Sequence, residues 1–301
     1  MLERFEQPPD LPSWIERDHP FERRAAIVSG RRIHFVDQGD GPTVLLVHGN
    51  PTWSYLWRKV LKRLLAAGYR VVAPDLMGLG LREKPCGLEE HTLERHVGLI
   101  ARLVDALELD DFVVVGQDWG GPISAGTAMW HAPRVRGLVF GNTAVVKPRE
   151  KIGTTPFHTF SRMPLISDLV FRGLAFPIPV MSTTQGNPAS IGLAQMAAYY
   201  WPLRRPWERS APLALARMVP SSRYHPSVPL LDAIGEWVES FEGPIELVWG
   251  TKDPILGRAL RRHRRRLPHA RVTETEAGHF LQEEVPNELT DAIIRVSSAD
   301  N

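Results

Sequence analysis

Short apolar runs alternate with stretches of helical spacing along most of the chain. Thr43–Val47 (TVLLV), Arg70–Ala73, Phe112–Val115, Val135–Phe140, Ile245–Trp249 and Arg271–Thr275 read as buried strands. Between the first two, apolar residues fall at Trp53, Leu56, Trp57, Val60, Leu61 and Leu64, which predicts a helix over Trp53–Leu65. Leu93–Leu107 predicts another, and helices follow each of the last two strands. Strands apolar throughout and alternating with helices imply a mostly parallel sheet covered by helices on both faces.

That rhythm fails between Ala144 and Pro226. Prolines from Pro148 to Pro226 cut the stretch into short helical pieces rich in Phe, Leu and Met. The expected organisation is a core in two parts, residues 1–143 and 227–301, with a helical cap, residues 144–226, inserted over the carboxyl edge of the sheet. Ligands of open α/β sheets bind at that edge. The alternative is an ordinary long excursion with no part in binding.

Composition narrows the classes. A chain of 301 residues, 43% hydrophobic and 23% charged, has ample material for a core and is not bulk disorder. Its 36 basic and 34 acidic residues leave a net +2, which argues against a polyanion-binding surface and a nucleic-acid partner. The basic run Arg258–Arg266 then reads as a solvated helix face. The one cysteine, Cys86, cannot make an internal disulfide or a multi-cysteine metal site, and it fits a reducing compartment. Met1–Asp10 has no apolar signal region, and no apolar run approaches the length of a membrane span. A cytoplasmic location is expected.

The candidate chemistry sits at strand ends. Gly116-Gln117-Asp118-Trp119-Gly120 follows the apolar run Phe112–Val115 and precedes a helix-capable stretch, Pro122–Met129. Small residues there allow a strained turn that lifts the middle side chain above the sheet. The middle residue is Asp118. A carboxylate is already ionised at neutral pH, so it attacks without a base and forms an ester at saturated carbon. The plainer reading is an Asp that caps the next helix. Gly278-His279-Phe280 follows Arg271–Thr275 and makes His279 the best base among the histidines. Asp253, in the turn after Ile245–Val248, is placed to accept from His279 and fix its tautomer. Nucleophile, acid, histidine is the chain order of the α/β-hydrolase fold. In that fold the turn His48-Gly49-Asn50-Pro51 supplies one oxyanion N–H, from Asn50, and Trp119 supplies the other. Pro51 suits the opening of a helix. His48 reads as structural.

These residues resemble the haloalkane dehalogenases of the α/β-hydrolase superfamily. The likeness rests on His48–Arg58 (HGNPTWSYLWR), Ala73–Pro85 (APDLMGLGLREKP), Val115–Ser124 (VGQDWGGPIS), Trp249–Ile255 (WGTKDPI) and Gly278–Pro286 (GHFLQEEVP). It implies Asp118 as nucleophile and His279 as the base that activates water. It implies halide binding by the Trp119 indole N–H and the Asn50 side chain. The other strand end that carries the acid in this family reads Gly141-Asn142-Thr143 here, so Asp253 takes that role and Asn142 is a hydrogen-bonding neighbour.

The resemblance implies hydrolysis of a small apolar halogenated substrate by water to alcohol and halide, with no cofactor and no metal. The segment 144–226 offers Phe157, Phe160, Phe171, Leu174, Phe176 and Met181 for an apolar pocket. Two related activities use the same Asp–His–Asp set. Epoxide hydrolases add cap tyrosines, for which Tyr199, Tyr200 and Tyr224 are available, and β-lactone decarboxylases share the Asn as well. A non-catalytic binding protein on the same scaffold is the alternative outside enzymes.

Overall fold

The computed structural model describes residues 2–146 and 156–299. In chain order its elements begin β1 (Leu2–Glu6), α1 (Ser13–Asp18), β2 (Arg23–Val28), β3 (Arg31–Gln38), β4 (Thr43–Val47), α2 (Arg58–Ala66) and β5 (Arg70–Pro74). There follow α3 (Leu93–Ala106), β6 (Phe112–Asp118), α4 (Gly120–Trp130) and β7 (Val135–Thr143). After them come α5 (Pro156–Ser161), α6 (Ile166–Asp168), α7 (Leu193–Tyr200) and α8 (Ser210–Met218). The chain closes with α9 (Val228–Ser240), β8 (Ile245–Gly250), α10 (Leu260–Arg266), β9 (Arg271–Thr275), α11 (Leu281–Glu284) and α12 (Pro286–Ser297).

The strands form one sheet in the order β1-β2-β3-β5-β4-β6-β7-β8-β9. From β5 to β9 all pairings are parallel. Because side chains alternate along a strand, an all-apolar strand feeds two cores. On β4, Val44 and Leu46 pack with Val60 and Leu64 of α2 and Ile293 of α12. Leu45 and Val47 pack on the other face with Val97 of α3 and Ile123 of α4.

The antiparallel strands β1–β3 were not expected from the pattern. Their sequences, such as RRAAIV and RRIHFVDQ, mix arginine with apolar residues and lack a clean run. A local signal does exist. Ser29 and Gly30 both take positive φ, the hairpin turn between β2 and β3.

The helix expected over Trp53–Leu65 starts later, as a 3₁₀ turn over Ser54–Trp57 that runs into α2. Pro51 therefore opens no helix. It lies in a turn closed by the Thr52 N–H on the Gly49 carbonyl, 3.1 Å. The basic run lies on and around α10. Leu260 and His263 face inward and Arg258, Arg261, Arg264 and Arg265 are solvated as expected, whereas Arg262 donates to the Val146 carbonyl and Arg266 is largely covered beside Glu239.

Residues 156–226 form short helices and 3₁₀ turns, while Pro148 of the expected cap lies outside the described residues. A buried polar network pins this segment to the core. The Tyr199 hydroxyl donates to Glu283 at 2.6 Å, and Arg58 grips the same carboxylate through two bonds of 2.6 and 3.0 Å. The Trp53 indole donates to the Ala198 carbonyl at 3.1 Å. Among the described residues no helix is long and apolar enough to cross a membrane.

Candidate active site

Strand β6 ends at Asp118, whose φ of +52° puts a non-glycine residue in the left-handed region. Only crowding on all sides maintains such a turn. A β-carbon on Gly116 would collide with the Gly120 carbonyl, one on Gly120 with the Val47 carbonyl, and one on Gly49 with the Asp118 carboxylate. These glycines let β4, β6 and the start of α4 meet at a point. The Asn50 N–H donates to Asp118 Oδ1 at 2.8 Å, and the Trp119 N–H also bonds the carboxylate. Helix α4 has no side-chain cap, so the capping role for Asp118 is excluded.

His279 Nε2 lies 3.6 Å from Asp118 Oδ2, and its Nδ1 lies 3.0 Å from Asp253 Oδ2. The first separation is that of a pair able to share one water. Asp253 is held in turn by Asn142 Nδ2 at 2.7 Å and by the Ile255 N–H at 2.7 Å. Asn142 also accepts from the Gly250 N–H at 2.6 Å, which ties β7 to the turn carrying Asp253. His48 is fully buried. Its Nε2 accepts from the Leu76 N–H and its Nδ1 reaches the Gly49 carbonyl, so it props the turn from below as expected.

The two side chains expected to bind halide, the Trp119 indole and the Asn50 amide, both belong to the cavity wall. In this structure, however, each donates to a carbonyl of α8. The Trp119 indole N–H bonds Leu215 O at 2.9 Å, and Asn50 Nδ2 bonds Pro212 O at 3.0 Å. A buried N–H without an acceptor is costly, and the carbonyls of Pro212 and Leu215 on α8 supply the acceptors.

The cavity over Asp118 has a volume of about 340 Å³. Asp118 and His279 form its polar floor, and Phe157, Phe176, Met181 and Ile255 are among its apolar walls. Of the other side chains expected there, Phe160 and Phe171 pack behind it in an aromatic cluster, and Leu174 is exposed. No group of three or more His, Cys, Asp or Glu residues suited to a metal occurs among the described residues.

A profile described as the α/β-hydrolase fold matches residues 42–286. Haloalkane dehalogenase 2 of Mycobacterium tuberculosis is 36% identical over 282 residues, spanning 92% of this chain and 95% of that protein. This chain belongs to the haloalkane dehalogenase family. A haloalkane dehalogenase of Mycobacterium marinum is 33% identical, spanning 87% of this chain and 88% of that one. Among solved structures, haloalkane dehalogenase DatA of Agrobacterium tumefaciens superposes with a TM-score of 0.79 at 26% identity, covering 91% and 97% of the two chains. DbeA of Bradyrhizobium elkani, at 24% identity, shares the fold with a TM-score of 0.82 over 93% of this chain and 99% of that one.

In this member of the dehalogenase family, two groups beyond the sequence reading steady His279. Gln117 Nε2 donates to the His279 carbonyl at 3.0 Å. Gln185 accepts from the Phe280 N–H at 2.9 Å and donates to the Phe280 carbonyl at 3.1 Å. Gln117 was findable, as a polar residue inside an apolar strand. Gln185 had no local signal, because its partner is distant in sequence.

The charges are set by burial and by one another. Burial lifts the Asp118 carboxyl above its ordinary 3.8, opposed by His279 and by the two N–H bonds. Burial pushes Asp253 the same way, but His279, Asn142 and the Ile255 N–H outweigh it and hold that carboxyl low. For His279, burial disfavours the charge, yet Asp253 and Asp118 together raise the imidazole above 6.5. Two acid limbs follow. Attack by Asp118 needs only its carboxylate, so kcat/KM falls with acid in a raised carboxylate range. A base at His279 must be neutral, so kcat falls at higher pH than kcat/KM. Esterified Asp118 carries no charge, so the kcat limb also lies below the His279 titration seen by NMR in the free protein. Coincident limbs would contradict this assignment.

Proposed function

We propose that this chain hydrolyses haloalkanes to alcohol and halide through an ester on Asp118. The observation that carries the reading is one carboxylate on a strained turn, held by the Asn50 and Trp119 N–H groups and 3.6 Å from a histidine backed by Asp253. A carboxylate oxygen attacks the carbon bearing the halogen, the carbon–halogen bond breaks, and the halide leaves with the bonding pair. His279 Nε2 then takes a proton from water. The resulting hydroxide adds to the ester carbonyl, and its oxyanion sits on the two backbone N–H groups. Collapse expels the alkoxide, which leaves as the alcohol with the proton from His279. The carboxyl group left on Asp118 gives up the second proton of that water to solvent, which restores the carboxylate and balances the halide.

The segment 144–226 serves as the cap in this reading, closing an apolar cavity over the nucleophile. The substrate is a small apolar haloalkane, and the partners are halide and water. Halide binding on Asn50 and Trp119 requires those donors to turn from, or be shared with, the α8 carbonyls. The exposed, unpaired Cys86 supports a reducing, cytoplasmic setting. Epoxide opening is less well supported, because no cap tyrosine lines the cavity among the described residues. Tyr199 is committed to Glu283, Tyr200 borders Arg209, and Tyr224 is exposed.

Incubation with 1-bromobutane, an alkyl epoxide and a β-lactone tests the reading. Bromide release with little turnover of the other two is the expected result. Turnover of the epoxide or lactone alone would overturn it. Asn50→Ala should slow the halide-forming step by up to about 10²–10³-fold, the scale of one lost preorganised donor. An unchanged rate would mean that Asn50 stays with Pro212 throughout.

A further inference from the structure

We propose that the cap face formed by residues 163–174 and Trp207 docks on an anionic lipid surface. Soluble chains seldom leave a cluster of large apolar side chains in water. Here Leu165 is 83% exposed, Leu169 69%, Leu174 66% and Trp207 63%, with Ile166 half exposed. The spacing is ordered. Leu165, Ile166 and Leu169 lie on the outer face of a turn whose inner face buries Ser167 and Phe171.

Arg209 fixes the pieces beside one another. Its guanidinium donates to the Arg172 carbonyl at 2.6 Å, to the Gly173 carbonyl at 3.0 Å and to the Arg204 carbonyl at 3.0 Å. The 3₁₀ turn carrying Trp207, Pro206–Glu208, packs against the 169–173 turn. The leucines and the exposed tryptophan therefore share one region, with Arg172, Arg204 and Arg205 around them. Indole and guanidinium groups suit a boundary between apolar and polar phases.

Charge selects the occupant. Residues 163–174 and 204–209 carry Arg172, Arg204, Arg205 and the buried Arg209 against Asp168 and Glu208, a net +2, with Arg172 paired to Asp168 and Arg205 to Glu208. A second copy seated on this face through a twofold axis would bring like charge against like. An anionic lipid surface takes both the apolar side chains and the positive ring. The same stretch continues through Phe176, Pro177 and Val180 into the cavity wall, so docking would set the cavity mouth at the lipid. The proposal stands apart from the reaction above, because partition is read without turnover.

Flotation of the full chain with vesicles tests it. Vesicles of phosphatidylcholine mixed equally with phosphatidylglycerol should take up at least about tenfold more protein than phosphatidylcholine alone, and added salt should erase the difference. Leu165→Ser with Leu169→Ser should cut uptake about tenfold or more. Arg204→Gln with Arg205→Gln should remove most of the anionic preference. Both variants keep the native melting temperature and bromide release. No preference for anionic vesicles, or equal uptake by the leucine variant, would overturn the proposal. A dimer in light scattering that the leucine variant dissolves would do so too, and would assign the face to a second copy.

Discussion

His279→Ala protein, mixed with excess 1-bromobutane, releases about one equivalent of bromide and then stops, with Asp118 butylated. The expectation follows from the division of labour at the site. Asp118 attacks without help, because its carboxylate is charged before the substrate arrives, while the Asn50 and Trp119 N–H groups keep it oriented. Ester hydrolysis needs a base within reach of one water, and His279 Nε2, at 3.6 Å from Asp118 Oδ2, is the side chain so placed. Steady turnover should fall about 10²–10⁴-fold, the usual scale for losing a positioned base. Intact-protein mass spectrometry reads the adduct, and peptide mapping places it. A variant with neither adduct nor bromide, yet with native melting, would separate His279 from the second step and Asp118 from the first.

Asp253→Ala should slow ester hydrolysis about 10²–10⁴-fold, no more than the loss of His279 itself, while leaving alkylation nearly intact. The carboxylate of Asp253 accepts from His279 Nδ1 at 3.0 Å, which fixes the proton there and leaves the Nε2 lone pair facing Asp118. It also supports the charge that His279 gains on taking a proton from water. Without it both tautomers are open, and the imidazolium sits buried without its counter-ion. The raised His279 value depends first on Asp253 among its supporting charges, so the acid limb of the residual hydrolysis should move to lower pH. Rapid-quench measurement of the alkyl-enzyme separates the two steps. Equal loss in both would mean that Asp253 acts only through the architecture of its turn.

The reacting groups were legible because each sits in a short strand-to-turn motif. Gly116, Gly49 and Gly278 mark places where other residues of the protein pack too close for a β-carbon, so the motifs carry their packing with them. Asp118, His279, Asp253 and Asn50 could be placed at strand ends on that basis alone. The state of the halide donors could not, since it depends on α8 carbonyls distant in sequence. The cap aromatics show the same limit. Phe157 and Phe176 face the cavity, whereas Phe160 and Phe171 stack behind it, and composition does not distinguish them. Strands β4 to β8 were visible because burial on both faces demands largely apolar runs, whereas β9 (RVTET), expected as a buried strand, is a partly exposed edge strand. Strands β1–β3 form the antiparallel side of the sheet, where Arg4, Arg24 and Arg32, paired with acidic neighbours, interrupt the apolar runs even though Phe35 and Val36 of β3 reach opposite cores.

Isotope tracing of a single turnover bears most directly on the ester at Asp118. Enzyme in excess over 1-bromobutane is allowed to react in water enriched in the heavy oxygen isotope. If the alkyl group passes through Asp118, the butanol carries ordinary oxygen from the carboxylate, and the heavy atom appears in the peptide containing Asp118. Heavy oxygen in the butanol of that first turnover, with an unlabelled Asp118 peptide, would mean that water attacks the substrate directly.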